Sequence, residues 1–498
     1  MFNKNINFLD ASSVELNVKQ KSVKGGVVTF FLQIVRLIIQ IGLNVALARI
    51  LVPEDFGIYA MVATITNFII MFKDFGLSQA TVQAKTLNDR QVNTLFWTNF
   101  VVGLVIFIFM VCISPLVAQF YSQPELSDVT KVLGVGIFLT SIAAQHQALL
   151  RRQMMFSTLA ILEIASLSIS VLLAIIMGLL DFGYWALVSM QVSQYLFMLL
   201  GVWVFCSWKP FSPFKTVKIN DFLRFGGDVM GYGLVNYFAR NADNILIGYV
   251  EGAKQLGFYS RAYSLLMLPI AQFTTPFSGI AISGLSRISN SRTQFENYYL
   301  RIFKIIAYIS FPSIIFLALH SKEIVTLVLG PSWLPASELF AILAFACFWQ
   351  PVCSTFGWIY VSLARTRFML YWGIISSLVT VVGFLIGILY GAKGVAISYA
   401  IINNLLLLPM LWFATHGTPV SMKRVLKQLI HPFMITGCVI FSNLVIFNVF
   451  KFESGFFELV ANFILSLVTI LVVSVINKNI RYDFVYIFRS FLKTTKVE

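Results

Sequence analysis

Apolar residues in this chain come in blocks long enough to cross a bilayer, and polar residues gather in the short gaps between them. Fourteen such blocks lie near residues 25–49, 57–79, 93–119, 129–149, 158–180, 184–207, 222–249, 257–285, 302–319, 338–363, 368–389, 394–414, 430–450 and 456–476. At 1.5 Å per residue, roughly 20 apolar residues span the ~30 Å hydrocarbon core of a membrane. The shorter alternating segments of a transmembrane barrel do not occur. The pattern predicts an all-α polytopic membrane protein of about 14 transmembrane helices.

Lysine and arginine orient these spans. With the start of the chain placed inside, 26 basic residues fall in the cytoplasmic gaps and four, Lys254, Lys322, Lys393 and Lys451, in the outer ones. That asymmetry follows the positive-inside rule. It also supports the number of spans, because one missed helix would scramble the alternation downstream. The net charge of +15 is thereby read as topology and not as a nucleic-acid surface.

The blocks repeat. Phe56-Gly57-Ile58-Tyr59 opens the second span and Leu256-Gly257-Phe258-Tyr259 the eighth. Gly25-Gly26 and Gly226-Gly227 open the first and seventh. Ala148-Leu149-Leu150-Arg151-Arg152-Gln153 ends the fourth span as Ser362-Leu363-Ala364-Arg365-Thr366-Arg367 ends the tenth, and glycines Gly183 and Gly391 open the sixth and twelfth. Six helices restore orientation, so the repeat is parallel, about an axis along the membrane normal. The chain is divided accordingly: a cytoplasmic segment 1–23, a lobe 24–208, a linker 209–221, a second pseudo-symmetric six-helix lobe 222–415, two C-terminal helices within 416–476, and a cytoplasmic tail 477–498.

Composition agrees. Of the 498 residues, 58% are hydrophobic and 11% charged, too few polar groups to coat a soluble particle of this size. The polar start lacks the apolar core of a cleavable signal, so the first span is expected to direct insertion. The five cysteines lie in apolar segments without CxxC spacing, which argues against a disulfide framework or zinc site.

Charges inside spans are costly and mark functional candidates. Gln33, Arg36, Gln40 and Asn44 share one face of the first span by their spacing of three and four. Asn236, Arg240, Asp243 and Asn244 stripe the seventh span, and a shift of 200 places Arg36 on Asn236, Gln40 on Arg240 and Asn44 on Asn244. Such stripes line a hydrated cavity or serve as interhelical hydrogen-bonding glue; the arginines favour the cavity. Arg240 and Asp243 are close enough in sequence to pair. Glu163, in the fifth span, relays protons or partners an arginine. Arg261 contacts substrate or snorkels, as Arg49 and Lys131 do at span ends. Gln145-His146-Gln147 is a candidate lining of the inner vestibule. In IIMFKDFGLSQ (69–79), Lys73 and Asp74 sit at the inner boundary beside Gly76, whose counterpart under the same shift is Pro276. Both can bend a helix, and they are hinge candidates. Arginine forks suit phosphate, so the basic stripe points to an anionic amphiphile with its head in the cavity and its tail in lipid.

Several stretches carry a resemblance. LVPEDFGIYAMV (51–62), KDFGLSQATVQ (73–83), LLRRQMMF (149–156), RFGGDVMGYGLVNYFARNADNILIG (224–248) and LGFYSRAYSLLMLP (256–269) resemble Wzx-type polysaccharide and O-antigen flippases. These belong to the multidrug/oligosaccharidyl-lipid/polysaccharide exporter superfamily, and the resemblance is to the colanic acid and teichuronic acid exporter branch. It touches most of residues 20–410 and is weak in the last two spans. It implies a fourteen-helix fold like that of the multidrug transporters in the superfamily, with two lobes around an alternately opening cavity. It further implies an undecaprenyl-diphosphate-linked oligosaccharide as substrate, and location in the bacterial inner membrane with both termini cytoplasmic. Arg36 and Arg240 match the cationic positions that hold the diphosphate. No cofactor is implied. Proton or sodium influx drives some relatives, for which Glu163 and Asp74 are the candidate carboxylates. A polysaccharide polymerase and a chain-length regulator are implied as neighbours. Two other readings stay open from the residues themselves. A drug antiporter of the same superfamily would line its cavity with acid, whereas this one runs basic. A membrane glycosyltransferase or polymerase would need a sizeable extramembrane loop, and the 320–337 loop, with His320, Lys322 and Glu323, is short.

Overall fold

A computed structural model describes residues 18–73, 77–84, 87–212, 220–449 and 455–483; at 18–31, 79–80, 83, 220–236, 238–240, 276 and 446–449 only the backbone is described. Its helices are α1 (Val18–Ile50), α2 (Pro53–Ile70), α3 (Leu77–Gln83), α4 (Asp89–Tyr121), α5 (Glu125–Arg152), α6 (Phe156–Leu179), α7 (Trp185–Phe205) and α8 (Asn220–Arg287). There follow α9 (Arg292–Leu319), α10 (Ser321–Val328), α11 (Ala336–Ala346), α12 (Gln350–Ser354), α13 (Phe356–Ser362), α14 (Thr366–Gly387), α15 (Gly391–Thr415), α16 (Met422–Val449) and α17 (Gly455–Ile476).

Among the described residues ten helical runs are long and apolar enough to cross a membrane, or eleven when the bent pair formed by α11 with 350–362 is counted as one. Two of these runs hold two arms each. Gly252 breaks α8 with φ +78°, and Gly391 separates α14 from α15 with φ +72°. These are left-handed backbone positions that glycine adopts without a Cβ penalty. With α2, whose first turn carries Glu54 and Asp55, every one of the fourteen apolar blocks coincides with a helical arm. The chain is a multi-pass helical membrane protein. The tenth block departs from expectation in being bent by 46° between residues 346 and 350, where Pro351 cannot donate a backbone hydrogen bond. The second block stops early: α2 ends at Ile70, and Met71, Phe72 and Lys73 form a turn before α3 begins.

Local chemistry starts and stops these helices. Asn88 accepts a hydrogen bond from Gln91 N at 2.8 Å while Gln91 Oε1 accepts from Asn88 N at 3.1 Å, a reciprocal cap on α4. Asp55 Oδ2 accepts from Val52 N at 3.1 Å at the start of α2, with Pro53 at the first helical position. The ends of α5 and α13 are the same backbone motif. Met154 and Ala364 both take the left-handed conformation, φ +57° and +55°. In one, Met154 N donates to Arg151 O and Met155 N to Leu150 O; in the other, Ala364 N donates to Val361 O and Arg365 N to Tyr360 O. This sets Met154 against Ala364, an offset of 210 residues, where the sequence match of Ala148 with Ser362 implied 214. The two registers differ by four residues, about one helical turn, so the same helix face is presented in either and the side-chain pattern alone could not separate them.

The chain divides into two compact units, Met1–Gly257 and Phe258–Glu498. In the first, Val92, Phe96, Leu149, Leu150, Leu159, Val202 and Trp208 form a buried core where α4, α5, α6 and α7 meet. In the second, Tyr308, Ile435, Val439 and Ile480 join α9 and α16 to the short helical segment after α17.

Polar contacts within each unit tie helix ends in agreement with the predicted alternation. Arg152 of α5 donates to Thr81 O and Ala84 O after α3. Trp97 Nε1 of α4 donates to Phe211 O at 2.8 Å. Arg365 donates to His416 O at 2.7 Å, Arg424 pairs with Glu296, and Lys304 pairs with Asp483. All these positions are assigned to the cytoplasmic side by the lysines and arginines. Lys393 pairs with Glu338, and both were assigned to the opposite side.

Candidate functional site

The polar face of the first span is present on α1. Gln33 is exposed; Arg36, Gln40 and Asn44 are half-buried, and Asn44 Nδ2 donates to Gln40 O at 2.8 Å. α1 packs along α6, and there Arg36 Nη1 donates to Glu163 Oε2 at 3.0 Å, an ion pair across 127 residues of sequence. Of the two roles open to Glu163, partner to an arginine is therefore the one it fills in this structure. The side chains remain 37% and 41% exposed. A part-exposed ion pair well inside the span is costly against hydrocarbon.

On the seventh span, Asp243 is buried and its Oδ1 accepts from Asn244 N at 2.8 Å. Asn244 Oδ1 is buried with no hydrogen-bond partner among the described residues. The side chains of Arg240 and Asn236 lie outside the described residues, as do Asp74 and Gly76 and the side chain of Pro276. Lys73 is half-buried in the turn after α2, and Arg261 is half-buried on the second arm of α8. Lys131 pairs with Asp128 at 2.8 Å on the surface.

The vestibule expectation is corrected for two of its three residues, Gln147 being half-buried. Gln145 and His146 are fully buried and line no vestibule. The Gln145 amide sits 3.4–3.5 Å from Thr81 Oγ1, and the His146 ring stacks on Trp203 at 4.9 Å beside Phe96 and Trp208. Three aromatic rings, each at least 50 residues from His146 in sequence, enclose the imidazole, and no local pattern announces that.

Sequence reasoning also missed how tightly α2 meets α8. A Cβ on Gly57 would lie 1.7 Å from Ala253 O, and one on Gly257 would lie 1.9 Å from Pro53 O. The two glycines of the Phe-Gly-Ile-Tyr and Leu-Gly-Phe-Tyr repeats thus serve each other: each lets the other helix's backbone into contact. Along the same seam Tyr237 OH donates to Thr64 O at 2.5 Å, and Tyr249 stacks on Phe120 at 4.8 Å. The repeat itself was the available signal for the glycines; Tyr237 had none.

The helices and the broken spans define a multi-pass helical membrane protein with a polar stripe on α1. A family model described as polysaccharide biosynthesis protein matches residues 46–338, and the chain belongs to that family. It is similar to the teichuronic acid biosynthesis protein TuaB of Bacillus subtilis (strain 168), 26% identical over 75% of this chain and 78% of the relative. It is also similar to the lipopolysaccharide biosynthesis protein WzxC of Escherichia coli (strain K12), 21% identical over 78% of this chain and 80% of the relative. Among solved structures, the lipid II flippase MurJ in an inward closed conformation superposes with a TM-score of 0.73 over 91% of this chain and 98% of that one. An inward-facing multidrug transporter of the MATE family gives 0.56 over 80% and 94%. At 17% and 16% identity these two show a shared fold.

Proposed function

We propose that this protein translocates an undecaprenyl-diphosphate-linked oligosaccharide from the cytoplasmic to the outer leaflet of a bacterial inner membrane, by alternating access and without covalent chemistry. The observation that carries the reading is the Arg36–Glu163 pair, a part-exposed guanidinium well inside a membrane span. A fixed cation there suits the phosphates of a lipid headgroup, which charge-assisted hydrogen bonds from an arginine fork would hold while the tail stays in lipid. Arg240, about one helical turn from Asn236, the counterpart of Arg36 on the seventh span, is the proposed second cation. Gln33, Gln40, Asn44, Asn236 and Asn244 would supply neutral hydrogen bonds for sugar hydroxyls. Lys73 at the end of α2 would meet the incoming phosphate, and Arg261 would assist on the eighth span. The names of the relatives, a teichuronic acid and a lipopolysaccharide biosynthesis protein, and of the structural neighbour, a lipid II flippase, support the substrate class.

Rocking of the lobe 24–208 against 222–415 would expose the site to each side in turn, with bends near Gly76 and Pro276 at the inner ends of the second and eighth spans. The polymerase and chain-length regulator that consume the flipped unit are the expected neighbours. Replacing Arg36 or Arg240 by alanine tests the reading in a strain that depends on this protein. Surface polysaccharide is expected to disappear at normal protein levels, and mass spectrometry of the lipid extract is expected to find the sugar-lipid precursor. Wild-type polymer from both variants would remove the arginines from the site. Absence of the precursor would point to an enzyme.

A further inference from the structure

The Arg36–Glu163 contact is a single one. Among the described residues, Nη1 donates to Oε2 and no second hydrogen bond joins the pair. An arginine carries five N–H donors in a fork that can take two anionic oxygens side by side. Here one is used, so the fork is held but not filled. With 37% and 41% of the two side chains exposed, the rest of it is open to approach. The carboxylate is held loosely too. Ion pairs this exposed are screened and weak, and a two-phosphate headgroup brings more charge and more acceptor oxygens than one carboxylate.

We propose that Glu163 is a built-in competitor for the phosphate: it occupies Arg36 when the site is empty, is displaced when the headgroup binds, and then stands beside it as a like charge that favours release. This rests on the reading of Arg36 as a phosphate-binding residue and adds what limits the affinity. The arrangement answers two physical demands. An arginine left without a counter-charge inside a span is costly, and Glu163 balances it through the empty part of the cycle. A transporter that held its substrate with an unopposed arginine would bind well and deliver slowly, since only an affinity difference between states moves cargo.

The test uses the full-length protein in nanodiscs, with undecaprenyl diphosphate as the probe and a vesicle assay of headgroup translocation beside it. Glu163→Gln keeps the shape and removes the charge. It is expected to bind the probe tighter by about five- to tenfold, the effect of removing one competing and repelling charge at a partly solvated site, and to translocate it more slowly. Glu163→Asp, which retains the charge, is expected to recover translocation in part. Glu163→Ala is expected to share the tighter binding and provides the measurement if Glu163→Gln does not fold. Loss of binding in Arg36→Ala together with unchanged or weaker binding in both neutral variants would overturn the competitor role and leave the arginine assignment standing. Wild-type binding in Arg36→Ala would overturn the arginine assignment itself, and this proposal with it.

Discussion

Arginines that the sequence counts only as topological charge have individual tasks. Arg152 is buried, and its guanidinium donates to Thr81 O at 3.2 Å and to Ala84 O, carbonyls at the end of α3. A cation there also complements the negative end of the helix. Arg152→Ala is expected to cost about 1.5–3 kcal/mol, the range for hydrogen bonds to charged groups, read as a lower unfolding temperature of the purified protein. Arg151→Ala, an exposed neighbour, is expected to leave that temperature unchanged, and an equal drop in both would contradict the assignment. Arg36 differs from either in having its charge balanced by a carboxylate from another span. Its spacing with Gln33, Gln40 and Asn44 was legible in the sequence as a polar face; that Glu163 meets it was not, because nothing local ties residue 163 to residue 36.

Between helices, the seam of α2 with α8 is a tightly constrained contact. Backbone meets backbone at Gly57 and Gly257, and a backbone cannot rotate aside as a side chain can. Gly57→Leu is therefore expected to separate these helix ends. Met61, one turn further along α2, is fully buried. In a background with the five cysteines replaced, Met61→Cys is expected to resist a membrane-impermeant thiol reagent, and to react at least tenfold faster once Gly57→Leu is added, each tenfold corresponding to about 1.4 kcal/mol of opening. Equal labelling with and without the leucine would show that the seam does not hold this end closed. The break after Ile70 belongs to the same element. The helix ends at Ile70 with Lys73 in the turn that follows, and the hinge candidate Gly76 lies outside the described residues.

For the molecule as a whole, polar contacts give a check on topology that does not use the positive-inside rule. Asp483, after α17, receives Lys304 at 2.5 Å, Tyr308 OH at 2.7 Å and His431 Nδ1 at 3.2 Å. The end of the fourteenth span therefore lies on the same side as the starts of the ninth and thirteenth, as an even number of crossings between them requires. Reporter fusions are expected to follow. Fusions after residues 208 and 415 should be active as a cytoplasmic fluorescent protein, and fusions after residues 182 and 390 as a periplasmic phosphatase. A reversed pair would break the assignment of sides. Asp483→Asn, which weakens the Lys304 pair, is expected to lower the unfolding temperature by a few degrees without changing the fusion pattern.

Hydrophobicity has a period and a length, and both are local, so the sequence by itself determined that the chain is helical, where each span lies and which ends share a side. It also carried the repeat, because duplicated helices keep their punctuating glycines and basic ends. The tertiary structure alone decided which charge meets which, that His146 is walled in by Trp203 and Trp208, and that Gly57 and Gly257 are there to let two backbones touch. Those facts depend on residues brought together from distant spans, and a distance between helices leaves no period along a chain.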